Sequence, residues 1–132
     1  MKLHKLTYLA LCSILFGVFL NSCKKDKIDV DALVGDYTVV QSCVVGEANY
    51  TTTIEALPFN DSNGVGIFKF PGGFSSSAFA EVKGDKLIIP NQHNDDTSFG
   101  GEGTFDGKTL TIEFFVFENN VRSECTATFT KN

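Results

Sequence analysis

His93 lies in the run Asn91-Gln92-His93-Asn94-Asp95-Asp96, and it is the one histidine downstream of the N-terminal apolar segment. An imidazole with the carboxylates of Asp95 and Asp96 nearby is a set that can ligate a metal or start acid–base chemistry. The same run has the composition of a solvated loop between two strands. The loop is the preferred reading, so His93, Asp95 and Asp96 are kept as a candidate loop site with no metal assigned. Asp61-Ser62-Asn63-Gly64 has part of a calcium-loop composition. An EF-hand loop needs about twelve positions ending in a bidentate glutamate, so a hairpin turn is expected there instead. Ser75, Ser76 and Ser77 follow Gly72-Gly73, but no histidine is spaced to activate them and Gly-x-Ser-x-Gly is absent. They read as a loop at the mouth of the fold. The sequence therefore points to a non-enzyme without a cofactor.

Cysteine is the other reactive type, with four residues at positions 12, 23, 43 and 125. The first two belong to an N-terminal segment with the layout of a secretory signal. Lys2, His4 and Lys5 form a basic start, and Leu6 to Leu20 is an apolar run of fifteen residues. Fifteen is short of the roughly 20 residues that a membrane-spanning helix needs. Leu20-Asn21-Ser22-Cys23 resembles a bacterial lipobox, which implies cleavage before Cys23 and lipidation of its sulfur. One acyl chain alone binds a bilayer marginally, so a two- or three-chain anchor follows from the resemblance. Lys24-Lys25-Asp26 resembles the short charged tether of Bacteroidota lipoproteins exported to the cell surface. The expected organisation is a signal peptide at 1–22, a lipidated tether at 23–33 and one domain at 34–132. The expected address is the cell envelope, as an outer-membrane lipoprotein held to the membrane through Cys23, with surface exposure one option and the leaflet left open.

The chain has 132 residues, enough for one domain. Lys2 and Lys5 leave with the signal, so nine of the eleven basic side chains remain against all sixteen acidic ones, a net charge of −7. Nucleic-acid binders carry basic patches, so nucleic acid is excluded as a partner. Cys43 and Cys125 then remain as a pair in a chain bound for an oxidising compartment, which predicts one disulfide. Two cysteines and one histidine do not make a zinc set.

From Gly35 onward alternation of apolar and polar residues dominates over helical periodicity. Eight strands are predicted, at 37–45, 50–57, 65–70, 77–83, 86–90, 97–105, 108–118 and 121–130. Gly84-Asp85, Asp106-Gly107 and Asn119-Asn120 suit two-residue hairpins, whose turns need residues that tolerate positive φ. The Asp106-Gly107 hairpin would pair Gly103 with Leu110, Gly101 with Ile112 and Phe99 with Phe114. The Asn119-Asn120 hairpin would pair Val116 with Ser123, Phe114 with Cys125 and Ile112 with Ala127. Because side chains alternate, both turns put Phe99, Phe105, Leu110, Ile112, Phe114, Val116, Cys125, Ala127 and Phe129 on one buried face. Tyr37, Val39, Gln41, Cys43 and Val45 share a face of the first strand. In an up-and-down barrel with an even strand number the first and last strands run antiparallel. Cys43 and Cys125 can then staple that seam with Cα atoms about 5.5 Å apart, and closure removes unpaired edges. The predicted fold is all-β: an eight-stranded antiparallel up-and-down barrel closed by a first-to-last-strand disulfide.

Leu33-Val34-Gly35-Asp36-Tyr37 resembles the Gly-x-Trp opening of lipocalin-like proteins, with tyrosine where tryptophan is usual. With Gly-Asp-Lys-Leu-x-Ile-Pro-x-Gln at 84 to 92 and Gly-x-Gly-x-Phe at 101 to 105, residues 33 to 131 are similar to small lipocalin-like lipoproteins of Bacteroidota. The resemblance implies a fold and an address and brings no catalytic residue.

Three functions fit this reading. The first is a non-enzymatic binding module for a protein or glycan. Phe115 and Phe117 depart from the alternation toward the outer face and are its candidate partner surface, unless Ile28, Val30 and Leu33 of the tether cover them. The second is a carrier of a small apolar molecule, for which Gly101 and Gly103 would leave room inside a barrel of this size. The third is a periplasmic inhibitor of an envelope-targeting enzyme, although a Ser-Gly-x-x-Tyr-like inhibitory loop is not evident and the nearest stretch is Ser98-Phe99-Gly100-Gly101.

Overall fold

Alternating sequence, positive-φ turn residues and a cysteine pair on the first and last strands together produce a closed sheet. The computed structural model describes residues 27–58, 63–72 and 77–132. Their eight strands are β1 (Gly35–Cys43), β2 (Gly46–Ala56), β3 (Gly64–Phe68), β4 (Ser77–Lys83), β5 (Lys86–Asn94), β6 (Thr97–Phe105), β7 (Thr109–Glu118) and β8 (Val121–Lys131). They form a closed antiparallel barrel in sequence order, with β1 returning to pair with β8. Cys43 stands directly opposite Cys125 across that seam, bridged with Cα atoms 4.2 Å apart. The fold is the predicted barrel with the predicted staple.

Turn chemistry sets the registers. Asn119 and Asn120 both adopt positive φ, at 53° and 62°, and the hairpin pairs Val116 with Ser123 and Phe114 with Cys125 as expected. The Asp106-Gly107 connection differs. It pairs Phe105 with Leu110, Gly103 with Ile112, Gly101 with Phe114 and Phe99 with Val116. The register is displaced by two residues because the turn runs from Asp106 to Thr109. The Asp106 carboxylate accepts from the backbone N–H of Thr109 at 2.7 Å and of Lys108 at 3.0 Å, an Asx-type closure. Those two amides, Thr109 first, hold the Asp106 carboxyl below its ordinary range. A displacement by two leaves every side chain on its expected face.

The core gathers Tyr37, Val39, Ile54, Val65, Ile67, Leu87, Ile89, Phe99, Leu110, Ile112, Phe114, Ala127 and Phe129, with Phe105 and Val116 partly buried against it. Val45 is a correction: it forms the β1–β2 turn with Val44 and is 82% exposed, outside the inward set of β1.

Residues 28–33, read from the sequence as tether, belong to the folded unit. Asp29 caps a single helical turn, α1 (Val30–Leu33), its carboxylate accepting from Asp31 N–H at 3.0 Å. Ile28 N–H donates to the Gly84 carbonyl at 2.8 Å, and Ile28 and Leu33 are buried in the core. These apolar residues close one end of the barrel, whereas Phe115 and Phe117 lie on the outer face of β7. Ile28, Val30 and Leu33 therefore do not cover that pair.

Candidate functional site

The barrel interior is where a carrier would hold its ligand, and here it is filled by aromatic rings. Phe70, just past β3, is fully buried. Its ring lies 4.8 Å from that of Phe114, 5.7 Å from Phe129 and 6.3 Å from Phe99, at tilted or edge-on angles. Such geometry suits the ring quadrupoles and adds to the burial gain of about 1.5–3 kcal/mol per side chain. Lys69 takes positive φ at 56°, turning the chain so that Phe70 enters the barrel ahead of a cis peptide to Pro71. By the parity of β3 Phe70 falls with the exposed Phe68 and not with the inward Val65 and Ile67, so its central place had no local signal in the sequence.

Gly101 and Gly103 leave no ligand space. A Cβ on Gly101 would lie 2.2 Å from the Glu113 carbonyl oxygen and 2.7 Å from Phe114 Cα, so β7 backbone occupies the position. A Cβ on Gly103 would meet Ile112 at 3.1 Å and Leu110 at 3.2 Å. Both glycines serve close packing of β6 on β7.

Beside Phe70, the end of the barrel that carries the disulfide holds a polar cluster. Tyr50 Oη donates to Gln41 Oε1 at 2.8 Å, Gly72 N–H donates to the same oxygen at 3.1 Å, and Gln41 Nε2 approaches Cys43 Sγ at 3.8 Å. Burial pushes the Tyr50 phenol up to about 12, the Gly72 amide opposing it. A buried carboxamide with its oxygen twice satisfied is a structural pin.

The polar run around His93 is strand, not loop. β5 continues through Asn94 after a register shift between Ile89 and Gln92. Pro90 has no N–H for the ladder, and the Gln92 carboxamide takes its place. Gln92 Oε1 accepts from Phe79 N–H at 2.9 Å, while Nε2 donates to the Phe79 carbonyl at 2.8 Å. His93 is exposed and pairs across to Ser98, with Nδ1 and Oγ 2.7 Å apart. Asp95 and Asp96 form the exposed β5–β6 turn, with Asp95 at φ 49°. The structure thus does not join the two carboxylates to the imidazole, and no metal-capable cluster of three ligands occurs among the described residues.

The outer face of β7 is the better-built feature. Phe115 lies across from Gly100, where an added Cβ would come 3.2 Å from its ring. The Arg122 guanidinium carbon stacks 4.2 Å above the Phe115 centroid, and Arg122 Nε donates to Glu124 at 2.8 Å. Phe117 is 41% exposed beside them. A shallow cleft next to the disulfide seam is lined by Ser42, Val44, Glu102, Glu113, Phe115 and Arg122.

Cys23, Leu20-Asn21-Ser22 and the apolar run lie outside the described residues, as do Asp61, Ser62, Ser75 and Ser76. Among the described residues no helix is long and apolar enough to cross a membrane. No family model and no curated protein matches this chain.

Proposed function

We propose that this protein is a lipid-anchored envelope lipoprotein of the small lipocalin-like kind, serving as a non-enzymatic binding module for a protein or glycan. Cys23 carries the acyl chains and holds the domain at the outer membrane, facing the surface. The reading is supported above all by the filled interior. Phe70 stands where an apolar cargo would sit, so recognition is directed to the outside of the barrel. Phe115 with its stacked Arg122, and Phe117 beside it, supply the aromatic and guanidinium chemistry that concentrates binding energy at interfaces.

Cross-linking followed by capture from envelope extract tests the reading. The wild-type domain is expected to retain a partner that a Phe115→Ala/Phe117→Ala variant of equal stability loses. A stoichiometric apolar molecule co-purifying inside the barrel, seen by native mass spectrometry, would instead make the protein a carrier. Retention of an envelope-targeting hydrolase with loss of its activity would make it an inhibitor.

A further inference from the structure

We propose that the outer face of β6, β7 and β8 docks a basic protein segment, one that sets arginine or lysine beside apolar side chains. The proposal rests on the outer-face binding reading above and names the chemistry of the partner. The strand registers assemble the face. Glu102 stands directly opposite Glu113, Glu113 opposite Thr126, Thr126 opposite Ser42 and Ser42 opposite Glu47. All five side chains are exposed, and this row across five strands holds three carboxylates and no cation. Glu124, across from Phe115, adds a fourth carboxylate in the neighbouring row. Like charges directly opposite each other destabilise a sheet, so the Glu102–Glu113 opposition costs the fold stability. Cations of the chain offset only part of it. Lys86 reaches Glu102 at 3.2 Å and Arg122 reaches Glu124 at 2.8 Å, while Glu113 has no ion pair among the described residues.

Apolar groups stand among these carboxylates. Val44 borders the same cleft as Glu113 and Phe115 and is 84% exposed. With Val45 it forms a hairpin tip, where Gly, Asn and Asp are the usual residues. Two β-branched side chains there break a local rule, as residues kept for a site do. Phe117, opposite Arg122, and Val121 are exposed beside them. Charge fixes the occupant. Arg122 displays the mode of recognition within the chain: a guanidinium stacked on Phe115 with a carboxylate at its edge. Glu102 and Glu113 extend the same offer to a cation from outside. The net charge of −5 steers a basic partner toward the chain and repels an anionic glycan.

Two labelled peptides of equal length test this on the full chain in detergent, one alternating arginine with leucine and one alternating glutamate with leucine. Fluorescence anisotropy is expected to show the arginine peptide bound many-fold more tightly. Its affinity should fall several-fold as salt rises from about 0.1 to about 1 M, because the screening length shrinks from about 10 to about 3 Å. Glu102→Gln/Glu113→Gln should weaken the arginine peptide several-fold. The same variant should unfold at an equal or higher urea concentration, since the opposition is relieved. Asp31→Asn/Glu55→Gln removes the same charge away from the face and should leave the affinity unchanged. Equal weakening by the two double variants overturns the docking face, leaving only general charge attraction. Equal binding of both peptides, or tighter binding of a neutral N-acetylglucosamine oligomer, overturns the basic partner. The underlying reading fails separately. If Phe115→Ala/Phe117→Ala loses a cross-linked envelope partner that the glutamine variant retains, the outer-face module stands and its basic partner falls. If the alanine variant binds the arginine peptide as the wild type does and retains every cross-linked partner, the aromatic face is not the binding surface.

Discussion

At the α1 end the barrel is sealed by residues next to one another in sequence, whereas at the disulfide end the closing groups come from distant positions. Ile28, Leu33 and Tyr37 close the first end within ten residues of chain, and Tyr37 Oη donates to the Leu33 carbonyl at 2.7 Å. Lys131 from β8 adds one long-range tie, its Nζ donating to the Ala32 carbonyl at 2.7 Å. The other end draws on Cys43 and Cys125, on Phe70 and on the Gln41–Tyr50–Gly72 cluster. Local contacts form at low loop-closure cost, whereas distant ones must offset it. A covalent bond at the distant end is a physical answer to that difference.

Removing the bond is expected to give the largest effect. Cys43→Ser/Cys125→Ser frees a loop of sequence separation 82. The chain-entropy account assigns about 4.5 kcal/mol to a loop of this length, a large share of a typical net stability of about 5–15 kcal/mol. Denaturant titration of the oxidised and substituted proteins measures it. A loss below about 1 kcal/mol would mean that the distant end is held without the staple.

Phe70→Ala comes next, with a loss of about 3–5 kcal/mol for a fully buried phenylalanine. The same variant sharpens the functional side of the comparison. It opens an apolar cavity among Phe99, Phe114 and Phe129, and an apolar fluorescent dye is expected to bind it and not the wild type. Dye binding by the wild type would show that Phe70 yields to ligands and would restore the carrier reading.

These two ends also differ in how much of them sequence alone reveals. The staple was legible because Cys43 falls in phase with Tyr37 and Val39, and Cys125 with Ala127 and Phe129, and period-two alternation survives even the two-residue register displacement at Asp106. That displacement was not legible, because Asp106-Gly107 has the composition of a two-residue turn. Only the capture of the Thr109 and Lys108 amides by the Asp106 carboxylate shows that it is longer. Pro90 likewise reads as a strand end, and the strand continues because a side chain two residues on replaces the missing backbone donor. Phe70 and Ile28 were hidden for a common reason: each sits beyond an alternating stretch, and its burial is decided by tertiary closure. At the candidate site, the outward placement of Phe115 and Phe117 was readable from parity. The stacking of Arg122 follows from its opposition to Phe117 across the β7–β8 hairpin. The grouping of His93 with Asp95 and Asp96 dissolved once β5 extended through Asn94.

Tyr37→Phe probes the α1 end at smaller scale. It leaves the Leu33 carbonyl at the end of α1 without its phenolic donor, in a buried setting. Loss of one partner from a buried pair costs about 1–3 kcal/mol. The lysine tie to Ala32 is untouched, so the fold should persist. Equilibrium unfolding checks this value, and a change within error would assign the closure of that end to Ile28 and Leu33 packing alone.

Tyr50→Phe is the matching change at the disulfide end and the smallest at neutral pH, because Gly72 N–H still donates to Gln41 Oε1. Its signature is a pH dependence. The folded phenol is raised from 10.0 to about 12 by burial, so the folded state keeps its proton where the unfolded chain has lost it. Stability then falls with rising pH wherever the unfolded state binds fewer protons. The Tyr50 contribution is fully present below about pH 10, declines above it and is lost as pH rises through about 12. Tyr37 is raised in the same direction by burial, so the wild type loses stability at both ends of the barrel over this range. Tyr50→Phe should remove one part of that loss and give a visibly shallower decline, while Tyr37→Phe removes the other. Urea titrations at a series of alkaline pH values compare the three proteins. If the wild type and Tyr50→Phe decline in parallel, the phenol is solvated in the folded state, and the Gln41–Tyr50–Gly72 cluster does not seal the disulfide end.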